Sequence, residues 1–408
     1  MSKNEVTTSL ISSLLILTKN SAVVAAASYF LTITLANVLG PYQFGLYSEA
    51  LIYAALISII ITYATDQTAP KNFAVHGNLS NSLSSIIFLR VTMFCISGIA
   101  AYFFLQEDLL LLTFIFLLAI ANFNLAFFYE IQKKNERHSY IYLTERIFYI
   151  VGAFTLIYLE LIELEYIFIL YGFVTLLSLL FQGYDSHAFY SINLRMQAKP
   201  AIRLLSDNFP LVIIALSLFA YGGLSRLVMD AKLGREVLGI YSAGWQLITI
   251  ASMFQYQLTR VWRLRLSAAL VARDLSSFKE HIKTYLIFGV IPICLAGAAL
   301  GFWAEWTVSF IFTKEYASLA LVLPTFGLYF MVIAMMGLLD ICWIAMEKNF
   351  LFMIINIVFS LFLLIALWFF SDEFGILAFV NLTVGMHLSL MLVLSIIWYL
   401  KFYNLLSD

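Results

Sequence analysis

Long apolar runs, interrupted at near-regular intervals by a few polar residues, dominate the chain. A bilayer core ~30 Å thick takes about 20 residues of helix at 1.5 Å each. On that ruler the runs predict about twelve spans, at 14–38, 46–66, 83–104, 109–131, 140–160, 166–185, 208–231, 239–260, 284–304, 317–345, 350–370 and 375–400. The longer connections, 67–82, 132–139, 186–207 and 261–283, all follow even-numbered spans. Turns after odd-numbered spans are brief, apart from 305–316.

Two of the brief turns say the same thing. Leu39–Ser48 reads LGPYQFGLYS and Leu233–Ser242 reads LGREVLGIYS, sharing Leu, Gly, Gly, Tyr and Ser without a gap. Gly40, Gly45, Gly234 and Gly239 suit helix ends and a close turn. A match at the same place in each half points to an internal duplication. The expected fold is therefore an all-α integral membrane protein with two six-helix lobes, residues 1–195 and 196–408. Both lobes start from the same side, so the repeat is parallel, about a pseudo-two-fold axis along the membrane normal.

Composition agrees. The chain is 62% hydrophobic and 12% charged, with mean hydropathy +0.93, where a soluble domain carries roughly 25% charged residues. The net charge of −1 hides a segregation by loop. Lys71, Lys133, Lys134, Arg137, Arg195, Lys199, Arg203, Arg260, Arg263, Arg265, Arg273, Lys279, Lys283 and Lys348 follow even spans. Lys232, Arg235 and Lys314 follow odd ones, among many more acidic residues. Positive charge stays in the cytoplasm, which predicts that both termini are cytoplasmic. Within 260–283, Trp262, Leu266, Leu270, Phe278 and Ile282 recur at helical spacing among basic residues, as in an interfacial helix on anionic headgroups. No soluble module accompanies that cluster, so nucleic acid is not an expected partner. Ser206-Asp207-Asn208 reads as an N-cap for the seventh span.

No chemistry of a familiar enzyme is visible. The chain lacks G-x-x-x-x-G-K-[ST], H-E-x-x-H and a nucleophile elbow. Cys95, Cys294 and Cys342 lie far apart in apolar runs, so neither a metal site nor any other cofactor is expected. A duplicated bundle without catalytic groups reads as a transporter. Charges inside the spans are then the candidate site residues. Lys19, Arg90, Arg146 and Arg226 are expensive facing lipid, at ~2.5–3.5 kcal/mol each near the bilayer centre. Facing a cavity they would suit an anionic, phosphate-bearing substrate; otherwise each snorkels or pairs, with Asp66, Glu130 or Glu145 as partners. Asp230 stands one turn from Arg226, an expected i,i+4 pair. Glu49, Asp230 and Asp340 are the candidates for coupling or gating, with a plain interhelical hydrogen bond as the alternative for Glu49 and Asp340. Gly297-x-x-x-Gly301 allows close helix contact, and Pro292 and Pro324 are candidate kinks.

Three stretches carry a family resemblance. Ala36–Ala50 (ANVLGPYQFGLYSEA), Ser225–Gly244 (SRLVMDAKLGREVLGIYSAG) and Phe310–Pro324 (FIFTKEYASLALVLP) resemble, in register, polysaccharide-export flippases of the O-antigen (Wzx) type. Those belong to the multidrug/oligosaccharidyl-lipid/polysaccharide (MOP) exporter superfamily. Asn37 and Ser225 depart from the pattern, where many relatives have a basic residue and an Asp. The resemblance implies a non-enzymatic flippase in a bacterial inner membrane. It would carry an undecaprenyl-diphosphate-linked oligosaccharide outward by alternating access, driven by an ion gradient or by the glycan's own concentration difference. Membrane lipids, a polysaccharide polymerase and a chain-length regulator are the implied partners. An ion-coupled multidrug antiporter of the same fold and a membrane glycan polymerase are the alternatives. The first should show acidic lobes and the second a large outer loop.

Overall fold

The seventh span illustrates how sequence pattern and tertiary context divide the work. Residues 206–208 do not cap it, because helix α7 begins at Ala198 and runs unbroken to Phe219. Asp207 instead pairs with Arg203 one turn away, at 3.7 Å, and the Asn208 side-chain amide donates to the Tyr63 carbonyl at 3.0 Å. The span continues through a π turn, Ala220–Leu224, into α8, Ser225–Leu233. A tertiary partner for Asn208 has displaced its local capping role.

The computed structural model describes residues 3–66, 68–69, 79–106, 108–132, 134–188, 198–271, 274–345 and 349–407. Lys71, Lys133, Arg195, Arg273 and Lys348 lie outside them. In chain order the earlier helices are α1 (Lys3–Thr62), α2 (Leu79–Leu105), α3 (Leu109–Ala119), α4 (Ala126–Ile131), α5 (Asn135–Tyr158) and α6 (Leu164–Asp185). After α7 and α8 come α9 (Arg235–Val271), α10 (Leu275–Tyr285), α11 (Ile291–Phe302), α12 (Ala304–Ile311), α13 (Leu323–Ala345) and α14 (Asn349–Ser407). The described residues contain no strand. Among the described residues, ten stretches are long and apolar enough to cross a membrane. One of them, Ala22–Thr62, has 41 residues, twice what a bilayer needs. It breaks at Gly40 (φ 70°, ψ 170°), so it supplies the first two expected spans. Gly375 (φ 67°) breaks α14 in the same manner. The eighth expected span lies within α9.

By contacts the chain forms two compact units. The first comprises residues 1–38 and 50–216; the second comprises 39–49 and 217–408. In the first, α1 lies along α5, with Phe30 and Phe154 ring centroids 5.7 Å apart and Asn20 donating to the Ser139 hydroxyl at 3.1 Å. Phe114 of α3 stacks on Phe168 of α6 at 4.2 Å.

In the second unit the small residues act as expected for close packing. A Cβ at Gly297 would come within 2.3 Å of the Gly327 carbonyl, and one at Gly301 within 3.2 Å of Pro324 Cα. The prolines are a different matter. Pro324 is the second residue of α13, where a missing N–H costs nothing, so it starts a helix and kinks none. Pro292 follows a π turn, Leu286–Val290, which absorbs the clash a proline makes with the preceding turn. In the basic 260–283 stretch, three of the apolar residues pack against protein. Leu266 and Phe278 are buried, Trp262 packs edge-on against Tyr285, and Phe278 stacks on Trp398.

Candidate functional site

The two LGxxxxG turns meet in the second unit. Gly40 and Gly234 occupy equivalent places and share an extended left-side conformation, φ 70° and 90°, open to glycine and costly for other residues. Their second glycines interlock. A Cβ on Gly45 would lie 2.1 Å from the Arg235 carbonyl oxygen, and one on Gly239 would lie 1.8 Å from that of Pro41. Pro41 and Arg235 are themselves equivalent positions. Each turn thus presents its glycine to the same carbonyl of the other, the reciprocity a two-fold contact requires. Glu49 closes the contact through an ion pair with Arg235 at 2.7 Å, with side-chain exposures of 7% and 25%. Glu49, a candidate for coupling, therefore sits in a latch between the repeated turns.

Arg90, expected to face a cavity, is withdrawn into the first unit, with 1% of its side chain exposed. The cause is the fourth span, which is not one helix. α3 ends at Ala119 and gives way to a 3₁₀ turn, Ile120–Phe123, before α4 starts at Ala126. Such a break frees backbone carbonyls that lipid cannot satisfy. Arg90 Nη1 donates to the carbonyls of Asn122 at 2.7 Å and Asn124 at 3.1 Å. Its Nε and Nη2 donate to Thr65 Oγ1, and Nη2 also meets Asp66 at 2.5 Å. All five N–H donors of a guanidinium are thereby used, and none remains for a ligand. Thr65 and Asp66 follow Tyr63 and Ala64, non-glycine residues at φ 46° and 56°, a conformation costing roughly 1–2 kcal/mol per residue. The Arg90 network holds that strained turn in place.

Arg146 and Lys19 are differently placed. Lys19 is exposed on α1. The Arg146 guanidinium, 20% exposed, lies over the rings of Tyr142 at 5.0 Å and Tyr171 at 5.4 Å. Glu145 approaches it only to 4.0 Å, and Nε has no hydrogen-bond partner. A groove of 1210 Å³ between α5 and α6 is lined on its basic side by Lys134 and Arg137, with Glu145 but not Arg146 on its wall. Arg90 and Arg146 thus have separate partners, carbonyls and a carboxylate for one and aromatic rings for the other.

Arg226 does not pair with Asp230 as spacing predicts. Its Nε donates to the Gly222 carbonyl at 2.5 Å, an oxygen in the π turn, and its guanidinium stands 5.4 Å from the Trp245 ring. Aromatic contact and one backbone bond leave its terminal nitrogens without a hydrogen-bond partner among the described residues. Asp230, half-buried, keeps Oδ1 without a hydrogen bond. Asp340 is half-buried in the last turns of α13. Sequence reasoning missed His387. It is 8% exposed, bonded to the Tyr329 hydroxyl at 3.0 Å, and has Tyr221 against its ring at 3.9 Å. A lone histidine in an apolar run gave no periodic signal. No group of three or more His, Cys, Asp or Glu fit to hold a metal occurs among the described residues.

The helical architecture, with a repeated turn joined by reciprocal glycine contacts, is a multi-pass membrane fold shared with members of the MOP superfamily. Three solved structures share that fold. Lipid II flippase MurJ in an inward closed conformation superposes with TM-score 0.71 at 14% identity, covering 95% of this chain and 90% of that one. An inward-facing multidrug resistance MATE family transporter gives 0.68 at 11% identity, over 94% of each chain. A MOP superfamily transporter from Pyrococcus furiosus gives 0.62 at 14%, over 97% and 94%. Within that fold the chain belongs to the polysaccharide biosynthesis protein family, whose model matches residues 10–262. It is also 23% identical to the capsular polysaccharide biosynthesis protein CapF of Staphylococcus aureus, over 76% of this chain and 79% of that protein. The solved structures of that fold include a lipid II flippase and a multidrug resistance transporter.

Proposed function

We propose that this protein flips an undecaprenyl-diphosphate-linked oligosaccharide across the bacterial inner membrane, from the cytoplasmic to the outer leaflet, for O-antigen, capsule or exopolysaccharide synthesis. Residues 1–195 and 196–408 act as two six-helix lobes in alternating access, with both termini cytoplasmic and the repeated turns on the outer face. The observation that carries the reading is the state of the deep cations. Arg226 and Arg146 are held by aromatic rings and keep donor nitrogens unsatisfied. That is an arrangement for receiving an anion such as a diphosphate. Family membership and the MurJ-like fold support the same class. Lys19, exposed on α1, serves as an entry cation. A polymerase and a chain-length regulator take the product on the far side.

The direct test is a strain lacking the gene. It should accumulate the lipid-linked glycan on the inner leaflet and lose surface glycan, and the wild-type chain should restore both. Arg146→Ala and Arg226→Ala should restore neither while accumulating in the membrane at wild-type level. Full display by the double variant sinks the assignment of these residues.

A further inference from the structure

His387 sits twelve residues into the Gly375–Lys401 span, which at helical rise is ~18 Å and close to its middle. A titratable ring at that depth has no water to share its charge, so its neighbours decide whether a proton can be held. Two tyrosines face it. The Tyr329 hydroxyl on α13 lies 3.0 Å from Nδ1 and 3.3 Å from Nε2, so the same oxygen is in reach of either ring nitrogen. The neutral ring accepts from that hydroxyl, and a protonated ring donates to it. The Tyr221 ring on the π turn, 3.9 Å away at 38°, offers a π face that favours a cation. Thr383, one turn back on α14, completes the polar surroundings.

These contacts form a closed circuit with Arg226. Tyr221 and Gly222 are consecutive residues of the π turn, and Gly222 accepts the Arg226 bond. On the other side Arg226 lies over Trp245, whose ring is 5.7 Å from that of Tyr329. Tyr241 joins the same cluster, stacked on Trp245 at 5.8 Å. All of these residues belong to the second compact unit. The geometry points to His387 as a proton-binding site linked to Arg226. One proton from the aqueous phase binds the free ring nitrogen, the ring charge goes from 0 to +1, and the Tyr329 hydroxyl turns from donor to acceptor. The new charge and Arg226 repel, and an anion arriving at Arg226 offsets that repulsion. Proton and anion therefore bind with positive cooperativity, each raising the affinity for the other by the same factor. This coupling rests on the flippase reading for its role in transport, in which the proton is bound and released together with the anion.

The test uses the full chain, labelled with ¹⁵N-histidine, in nanodiscs of phosphatidylethanolamine and phosphatidylglycerol. His387→Asn identifies the ring signal among the five histidines. The signal should shift with pH within the range over which the protein stays folded. Inorganic diphosphate should raise the midpoint by about half a unit or more, a factor of ~3 in proton affinity. The rise should vanish in Arg226→Gln, and Tyr329→Phe, which deletes one hydroxyl, should move the midpoint without unfolding the protein. A ring that stays neutral across the range overturns the proton site; a midpoint indifferent to diphosphate overturns the link to Arg226. Surface glycan separates this from the flippase reading. If His387 titrates but the wild-type chain restores no glycan in the deletion strain, the flippase reading fails and the proton site stands. If glycan is restored while His387 stays neutral, the reverse holds.

Discussion

The ion pair between Glu49 and Arg235 ties together the two repeated turns, and Glu49→Gln removes its charge with almost no change of shape. At 2.7 Å and an effective dielectric of 20 the gross attraction is ~6 kcal/mol. Desolvation offsets much of it, and removing one partner of a fully buried pair costs ~3–5 kcal/mol. Arg235 keeps a quarter of its side chain in contact with solvent, so we expect ~2 kcal/mol for Glu49→Gln, which is roughly a 30-fold shift in local opening. Hydrogen-exchange mass spectrometry on peptides covering 39–49 and 235–242 reads that shift directly. Both peptides should lose protection together, because the glycine contacts they share open as one. Arg235→Gln should give a similar loss, and the double variant should fall well short of the sum. If either peptide changes less than ~3-fold, or the two losses add in full, the pair is a surface contact and not a latch.

Other perturbations follow from the same packing. Gly45→Ala and Gly239→Ala each drive a methyl into a carbonyl, costing ~1–3 kcal/mol or more; thermal unfolding in detergent should fall for both, while Gly385→Ala, which meets open space, should leave it unchanged. Arg90→Ala strands Asp66 and the carbonyls of Asn122 and Asn124, for ~3 kcal/mol or more, so folded protein should drop, whereas Arg146→Ala should keep its melting temperature and lose only glycan display; equal melting for both contradicts the clamp. Asp274 caps α10, and hydrogen bonds from the Ser277 side chain and backbone N–H lower its carboxyl to about 2. A lowered folded value means that the cap stabilises α10 above the unfolded value of ~3.9 and is lost as pH falls from there towards 2. Amide exchange at 276–278, compared at matched intrinsic rate, should accelerate over that interval in wild type and show no such step in Asp274→Ala.

The sequence determined the membrane class, the spans and the duplicated turn. Each rests on composition or on spacing along one helix, and a bilayer enforces both locally. Gly40 and Gly234 were legible for the same reason: a chain reversing between two spans needs a backbone that only glycine adopts without strain. What a charge inside a span does was not legible, since it depends on the helix standing opposite. Arg90 and Arg226 look alike in sequence, each an arginine in an apolar run. Arg90 meets a broken helix whose carbonyls, with Thr65 and Asp66, take every donor, while Arg226 meets an aromatic ring and one carbonyl. Asn208 passes from cap to interhelical donor, and His387 from an unnoticed residue to a bonded ring, by the same logic. Only the tertiary structure brings the partner into reach, and in a medium without water the partner fixes what a polar group can do.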